Sequence, residues 1–323
     1  MIFFSDYQSL IDQKIKEHHF NGSPTELYDP VNYIISIGGK RVRPALCLIG
    51  TSMFQDDLTN AIQPALALEF FHNSLLVHDD IIDKAPLRRG HPTIHEKWGN
   101  NSAILSGDTL LVKAYQFFEA LESKVFRKVI LEFSNMAIKV CEGQQMDVNF
   151  EETQEPDFDQ YIQMITYKTA ILIGSALKIG AFIGRAGEQD ATHLYETGKN
   201  IGIAFQIQDD LLDVFGDSEK FGKKHAGDIY ENKKTILYFK TLEKANEKQK
   251  EELLYWYCIK TDNIDKVYAV EYLFKKLCII EEVKKELKHY RDKSLESLSK
   301  VSAPAEKKDI LLQFIKDSII RTQ

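Results

Sequence analysis

The feature that most constrains this chain is where its prolines are missing. The eight prolines are Pro24, Pro30, Pro44, Pro64, Pro86, Pro92, Pro156 and Pro304, so none stands between 93 and 155 or between 157 and 303. A proline in a helix interior removes a backbone hydrogen bond and clashes with the preceding turn, so long proline-free stretches favour helices. Within them apolar positions recur at spacings of three and four. Ile162, Ile165, Thr169, Leu172 and Ala176 trace one face, and Ile201, Phe205, Gln208, Leu212 and Phe215 another. Runs of alternating β-branched residues bounded by turn pairs are missing, and the predicted fold class is all-α. Breaks are predicted at Asn21-Gly22-Ser23-Pro24, Ala85-Pro86, Arg89-Gly90-His91-Pro92, Gly99-Asn100-Asn101, Thr153 to Pro156, Asp217 to Asp228 and Ser302-Ala303-Pro304. The stretch from about 240 to 300, rich in Lys and Glu at helical spacing, reads as a solvated helical face. Without a repeat, a low-complexity tract or a long linker, residues 1–323 are predicted to form a single helical domain, although length alone favours about two.

Composition narrows the classes of partner. At 44% hydrophobic and 28% charged residues the chain is of ordinary soluble, globular type. A net charge of -7 and a pI near 5.8 argue against nucleic acid, whose binders carry a basic surplus. A local basic pocket for a phosphorylated small molecule stays open. Cys47, Cys141, Cys258 and Cys278 stand far apart with no CxxC spacing, which fits neither a zinc site nor a disulfide framework and predicts reduced thiols in a cytoplasmic protein. The N-terminus lacks a basic stretch followed by a long apolar one, so no secretory signal is expected. No uninterrupted apolar run approaches the ~18 residues of a membrane span.

Two acidic clusters stand out. Asp79 and Asp83 are four apart and Asp80 and Asp83 three apart, so on a helix all three project from neighbouring positions. They repel one another, and at a helix C-terminus the macrodipole disfavours them further. Such a trio needs a cation, and hard oxygen ligands with room for water and diphosphate oxygens suit Mg²⁺. One DDxxD is a weak signal, because acidic helix ends are common. Asp209, Asp210 and Asp213 repeat the spacing some 130 residues on, again after an apolar helical run. Two such faces opposed across a helical core would hold several ions around one diphosphate.

Basic residues answer both clusters. Gly38-Gly39-Lys40-Arg41-Val42-Arg43-Pro44 places three cations behind a glycine pair, with Pro44 suited to a first helical turn. Helix-start amides beside Lys and Arg make a natural diphosphate cradle. Arg88 and Arg89 follow Asp83 closely, Lys168-Thr169 interrupts an apolar helix, and Lys223 and Lys233 flank Gly227-Asp228. Each pair alone is ordinary surface charge; the set beside both acidic motifs is not.

The pattern resembles the trans-isoprenyl diphosphate synthases, the polyprenyl synthetase family. The matching elements stand in family order: GGKRVRP at 38–44, His72, DDIID at 79–83, LRRG at 87–90, KT at 168–169, FQIQDDLLD at 205–213 and GDIYENKKT at 227–235. The resemblance implies an isoprenoid-synthase helical bundle around a deep central cavity, a homodimer, and three Mg²⁺ ions per active site. Its substrates would be isopentenyl diphosphate and an allylic diphosphate. It implies Asp79, Asp83 and Asp209 as direct metal ligands, with Asp80, Asp210 and Asp213 supporting them directly or through water. Arg88, Lys168 and Lys233, with Thr169, Gln206 and Lys223 nearby, would hold the allylic diphosphate. Lys40, Arg43, His72 and Arg89 would hold the diphosphate of isopentenyl diphosphate, and Phe205, Thr169 and Gln206 would stabilise the carbocation. The chain departs from the family in having Asn232 before Lys233 where glycine is usual; asparagine tolerates left-handed backbone.

Product length is expected to be set along the helix ending in Asp79. At ~1.5 Å per residue, Ser74 lies ~7.5 Å and Phe71 ~12 Å from Asp79. Short-product members of the family carry an aromatic residue four or five positions before the motif, where this chain has Leu75 and Ser74. Phe71 and Phe70 are candidate plugs, with Tyr115, Phe117 and Phe118 behind them, although all are equally readable as core. The expectation is the C20 geranylgeranyl diphosphate, with C15 or a longer chain as alternatives. Three rival readings fit the sequence less well. A terpene cyclase needs no second diphosphate site, whereas GGKRVRP and Arg89 supply one. An HD-type phosphohydrolase leaves the second DDxxD unexplained. A non-catalytic subunit of a heteromeric synthase would typically lose aspartates that this chain keeps.

Overall fold

The structure, a computed structural model, describes residues 3–153, 156–216 and 225–320. Among them regular structure is helical, as expected, except for one short antiparallel pair, Leu87–Arg88 with His91–Pro92. The sequence marks this place only as a break. Arg89 and Gly90 both have positive φ, 53° and 79°, and consecutive left-handed residues close a tight hairpin there. All four cysteines are free thiols.

The chain divides into two compact units. One comprises Met1–Asn135, Ser175–Tyr195 and Lys300–Phe314; the other comprises Met136–Gly174, Glu196–Ser299 and Ile315–Gln323. In the first, the helix Thr59–Ile82 buries Ala61, Ala65, Leu66, Leu68, Phe70, Phe71 and Val77. It is apolar on nearly all sides, which is how a central helix surrounded by others reads. The helices Val42–Ser52 and Asn100–Gln116 pack directly on it. It ends at Asp83, whose amide bonds the Asp79 carbonyl at 2.9 Å, and so delivers the first aspartate cluster at its C-terminus.

In the second unit a core of Tyr161, Met164, Ile165, Ile203, Ile207, Leu211, Val214, Leu237, Phe239, Val270 and Phe274 holds the second cluster. The helix Phe158–Ile165 passes into a π-helical turn, Thr166–Ala170, and on into Ile171–Ile183. By length and composition the run Phe158–Ile183 is apolar enough to cross a bilayer, but 72% of its most apolar window is buried inside the protein. Its hydrophobicity is accounted for by packing.

The stretch from 240 to 300 forms the helices Glu247–Cys258, Ile264–Lys276 and Ile279–Ser299. Exposed pairs such as Lys250–Glu247, Lys284–Glu281 and Lys288–Asp292 run along it, as a solvated face requires. Lys266 departs from that pattern, because it is fully buried.

Candidate active site

In the first unit Asp79 is half-buried, Asp83 exposed and Asp80 buried. The distinction follows from helix geometry: Asn73, Val77 and Asp80 share the inward face, and all three are buried. Arg88, delivered by the hairpin, closes on Asp80. Its Nη2 stands 2.6 Å from Oδ1, and its Nε donates to both carboxylate oxygens at 2.8 Å. The Asp79 carboxylate is 3.6 Å from the same guanidinium. Burial raises the pKa of Asp80 above the usual carboxylate value, against the pull of Arg88. The buried middle aspartate is thus the one held most closely by the arginine.

The glycine-pair loop sorts its three cations. Arg41 has left-handed backbone, φ 47°, and turns inward to Glu69 at 2.5 Å, Asp12 at 2.9 Å and the Ile35 carbonyl at 3.1 Å. It is a buried structural residue. Lys40 is exposed, its carbonyl accepting from the Gln8 side chain, and Arg43 Nη1 lies 3.2 Å from His72 Nε2. Arg89 donates to the Gly38 carbonyl. A Cβ on Gly39, whose φ is 154°, would stand 3.0 Å from that guanidinium, tighter than an ordinary contact and in a backbone conformation that favours glycine. Burial, and then Arg43, Arg89 and Arg88 in turn, hold the pKa of His72 well below the ordinary imidazole value. Arg43, His72 and Arg89 thus stand together, and the surrounding arginines disfavour protonation of the imidazole.

The second unit contains a pocket lined by Asp147, Phe150, Tyr161, Lys168, Thr169, Gln206, Asp210, Asp228, Asn232, Lys233, Lys234 and Thr235, among others. Five of the residues expected from sequence, Lys168, Thr169, Gln206, Asp210 and Lys233, meet there. The π turn brings two of them. The Ile171 amide bonds the Thr166 carbonyl five residues back, which inserts an extra residue into the helix and re-aims Lys168 and Thr169. Gly143 on the helix Ser123–Glu152 makes room for this turn, since a Cβ there would collide with the Lys168 amide. Lys168 then pairs with Asp147 at 2.6 Å.

A hydrogen-bonded chain runs across the pocket. Thr169 donates to Gln206 Oε1 at 3.1 Å, Gln206 Nε2 to Asp210 Oδ1 at 3.0 Å, and Tyr161 Oη to Asp210 Oδ2 at 2.6 Å. Asp210 is buried, whereas Asp209 is exposed and Asp213 half-buried. Asp213 accepts from the Asp228 amide at 2.9 Å. Burial, opposed by the bonds from Tyr161 and Gln206, pushes Asp210 up to about 6. Burial and then the neighbouring Asp210 and Asp213 push Asp228 up to about 8. Phe205 is half-buried one position before Gln206. Lys233 pairs with Glu231 at 3.1 Å. Lys223, expected on the resemblance, lies outside the described residues.

Sequence reading missed Asp147, Tyr161 and Asp228. A glycine–acid pair in an apolar helix (Gly143, Asp147) and an acid between lysines (Asp228) were available signals; Tyr161 on its apolar face gave none. Among the described residues no three carboxylate, imidazole or thiol groups converge into a ready-made metal cage. The donor set nonetheless fits a hard dication. Carboxylates pushed up by burial and by each other are relieved by one, and Mg²⁺ retains water and phosphate oxygens in its shell.

Helix-borne acids answered by half-buried arginine and lysine place opposite charges side by side within each unit of a helical protein. Residues 24–274 match the polyprenyl synthetase family. The short chain isoprenyl diphosphate synthase of Methanothermobacter thermautotrophicus is 39% identical over 252 residues, 77% of each chain. The geranylgeranyl diphosphate synthase of Sulfolobus acidocaldarius is 33% identical over 323 residues, covering 99% of this chain and 97% of the relative. A crystal structure of a geranylgeranyl pyrophosphate synthase superposes with a TM-score of 0.95 at 37% identity over 100% of both chains. This chain belongs to the polyprenyl synthetase family.

Proposed function

We propose that this protein condenses isopentenyl diphosphate head to tail with an allylic prenyl diphosphate and releases diphosphate, with geranylgeranyl diphosphate (C20) as its product. The observation that carries the reaction is the presence of two aspartate clusters, each with its own cations: Arg88 on the first, Lys168 and Lys233 beside the second. Relatives named geranylgeranyl diphosphate synthase, at 33% to 39% identity, support the C20 length, as do the small Ser74 and the aliphatic Leu75 before the first cluster.

Three Mg²⁺ ions, held by Asp79, Asp83 and Asp209 with Asp80, Asp210 and Asp213 in support, would neutralise charge on the leaving diphosphate. Lys168, Thr169, Gln206 and Lys233 hold the allylic diphosphate, and Arg88 is assigned to the same anion on the resemblance alone. Lys40, Arg43, His72 and Arg89 hold the other substrate, His72 as a neutral hydrogen-bonding ring rather than a cation. The allylic C–O bond breaks to a delocalised carbocation, stabilised by the Phe205 π-face and by the Thr169 and Gln206 dipoles. The held alkene attacks it, and proximity removes much of the entropic barrier. A proton leaves to the departing diphosphate, so no side chain serves as base.

An exposed apolar face, Leu105 and Val112 seven apart on the helix Asn100–Gln116, supports a homodimer. The deciding experiment incubates the purified protein with Mg²⁺, isopentenyl diphosphate and farnesyl diphosphate and separates the products by chromatography. A C20 product is expected. Absence of incorporation into both farnesyl diphosphate and a parallel dimethylallyl diphosphate primer would remove the reaction; growth of the shorter primer only to C15, or of either primer to C30, would remove the length assignment.

A further inference from the structure

Lys266, on the helix Ile264–Lys276, is fully buried, and its surroundings are unusual for a buried cation. Arg41, the other deeply buried base among the described residues, faces two carboxylates. The Lys266 ammonium instead donates to three neutral oxygens: the Ile259 carbonyl at 2.9 Å, the Tyr230 carbonyl at 3.4 Å and the Asn232 side-chain Oδ1. An ammonium has three protons, and each has an acceptor. Burying a charge without a counter-charge is costly, and a lysine on a helix otherwise lined with solvated lysines has water available instead.

The acceptors identify what the charge organises. Tyr230 and Asn232 belong to the turn that leaves the helix Gly227–Tyr230, and Asn232 sits there with left-handed backbone, φ 60°. The Asn232 amide also reaches the Ile259 carbonyl at 3.4 Å, so ammonium, amide and carbonyl form a closed triangle behind the turn. The same stretch carries the pocket residues Asp228, Asn232, Lys233, Lys234 and Thr235, and the Lys233 amide is fixed to the Asp228 carbonyl at 2.9 Å. Glycine at 232 would accept the same φ but could offer Lys266 no side-chain oxygen.

We propose that Lys266 is a positioning residue for the allylic diphosphate: acting through Asn232, its buried ammonium locks the turn that aims Lys233 into the pocket. This rests on the assignment of Lys233 to that anion. Asn232 then combines two tasks, the left-handed conformation and the acceptor, and the pair works as a unit specific to this chain's departure at 232.

The test is steady-state kinetics on the full-length enzyme with farnesyl and isopentenyl diphosphates varied separately, together with thermal melting of each variant. Lys266→Met should raise KM for farnesyl diphosphate about tenfold and leave KM for isopentenyl diphosphate within about twofold, because unmade buried hydrogen bonds shift the turn and not the other site. Lys266→Gln, which keeps a donor, should recover part of the loss and serves if the Met variant folds poorly. Lys266→Met placed in an Asn232→Gly background should have a smaller effect than in the native chain, since the intermediary is already gone. A lowered Tm with unchanged KM for farnesyl diphosphate in Lys266→Met or Lys266→Gln would overturn the proposal, as would full additivity with Asn232→Gly. Lys233→Met separates the two layers. If that variant alone leaves the farnesyl diphosphate KM unchanged, the assignment of Lys233 falls; if it raises KM while Lys266 variants do not, only the positioning role falls.

Discussion

Asp80 and Asp210, the middle acids of the two clusters, are both buried, and each is held by hydrogen bonds from a fixed donor. For Asp210 those donors are Tyr161 and Gln206, and the consequence is testable at single side chains. Tyr161→Phe removes the phenolic donor while keeping the ring. We expect about 1–2 kcal/mol of lost stability, from a charge-assisted hydrogen bond, and a fall of about tenfold in kcat/KM as Gln206 and Thr169 lose their anchor. Calorimetry and kinetics on the variant check this, and wild-type kcat/KM would contradict it. The raised acids also give a pH dependence. Asp210 and Asp228 bind protons more tightly in the folded chain, up to about 6 and about 8, than in the unfolded chain. Metal-free protein should therefore gain stability as pH falls below about 8 and lose it as pH rises through that range. Asp228→Asn should flatten the change in Tm between pH 6 and pH 8.5, whereas an unchanged slope would mean that Asp228 does not carry it.

At the scale of helices, the expected floor of the product site becomes specific. Ser74 is buried and bonds the Phe71 carbonyl at 2.7 Å, so it adds little bulk. Phe71 packs on Phe133 at 5.2 Å between ring centroids, and Phe133 in turn on Phe118 at 4.9 Å and Tyr115 at 5.0 Å. Phe70 turns elsewhere, to Phe117 at 4.9 Å and Phe20 at 5.6 Å. The two phenylalanines that sequence treats alike belong to different aromatic clusters, and Phe133 joins as a third candidate. Ser74→Phe is expected to shift the chromatographic product from C20 to C15, and unchanged chain length would refute the floor. The helices themselves were legible because proline absence and the three–four apolar rhythm are local properties. The π turn was not, because it arises where Gly143 lets another helix press against Lys168, a contact between residues 25 positions apart in the chain.

At the scale of the molecule, the aspartates and their spacing could be read from the chain, but which of them is buried was not read from it. The inward rhythm of Ile203, Ile207, Asp210 and Val214, all buried, would have placed Asp210 on the core side had it been followed through the motif. Nothing comparable distinguishes Arg41 from Arg43, which differ through a left-handed φ and the distant Glu69 and Asp12. If the exposed face at Leu105 and Val112 joins two copies, Val112→Glu should yield monomers in light scattering after size-exclusion chromatography, with the helical circular dichroism retained. A dimer that survives the charge would refute that face as the contact.

The pairing of Arg88 with Asp80 and of Lys168 with Asp147 carries one more implication. Before substrate arrives, each of these cations is already neutralised by an acid of its own unit. On the proposed roles, a diphosphate that takes Arg88 or Lys168 must displace a carboxylate from it and leave Asp80 or Asp147 without its base. A dication held by the neighbouring outer aspartates, Asp79 and Asp83 or Asp209, would offset the charge so released. Anion and dication would then raise one another's affinity by the same factor, as linkage requires.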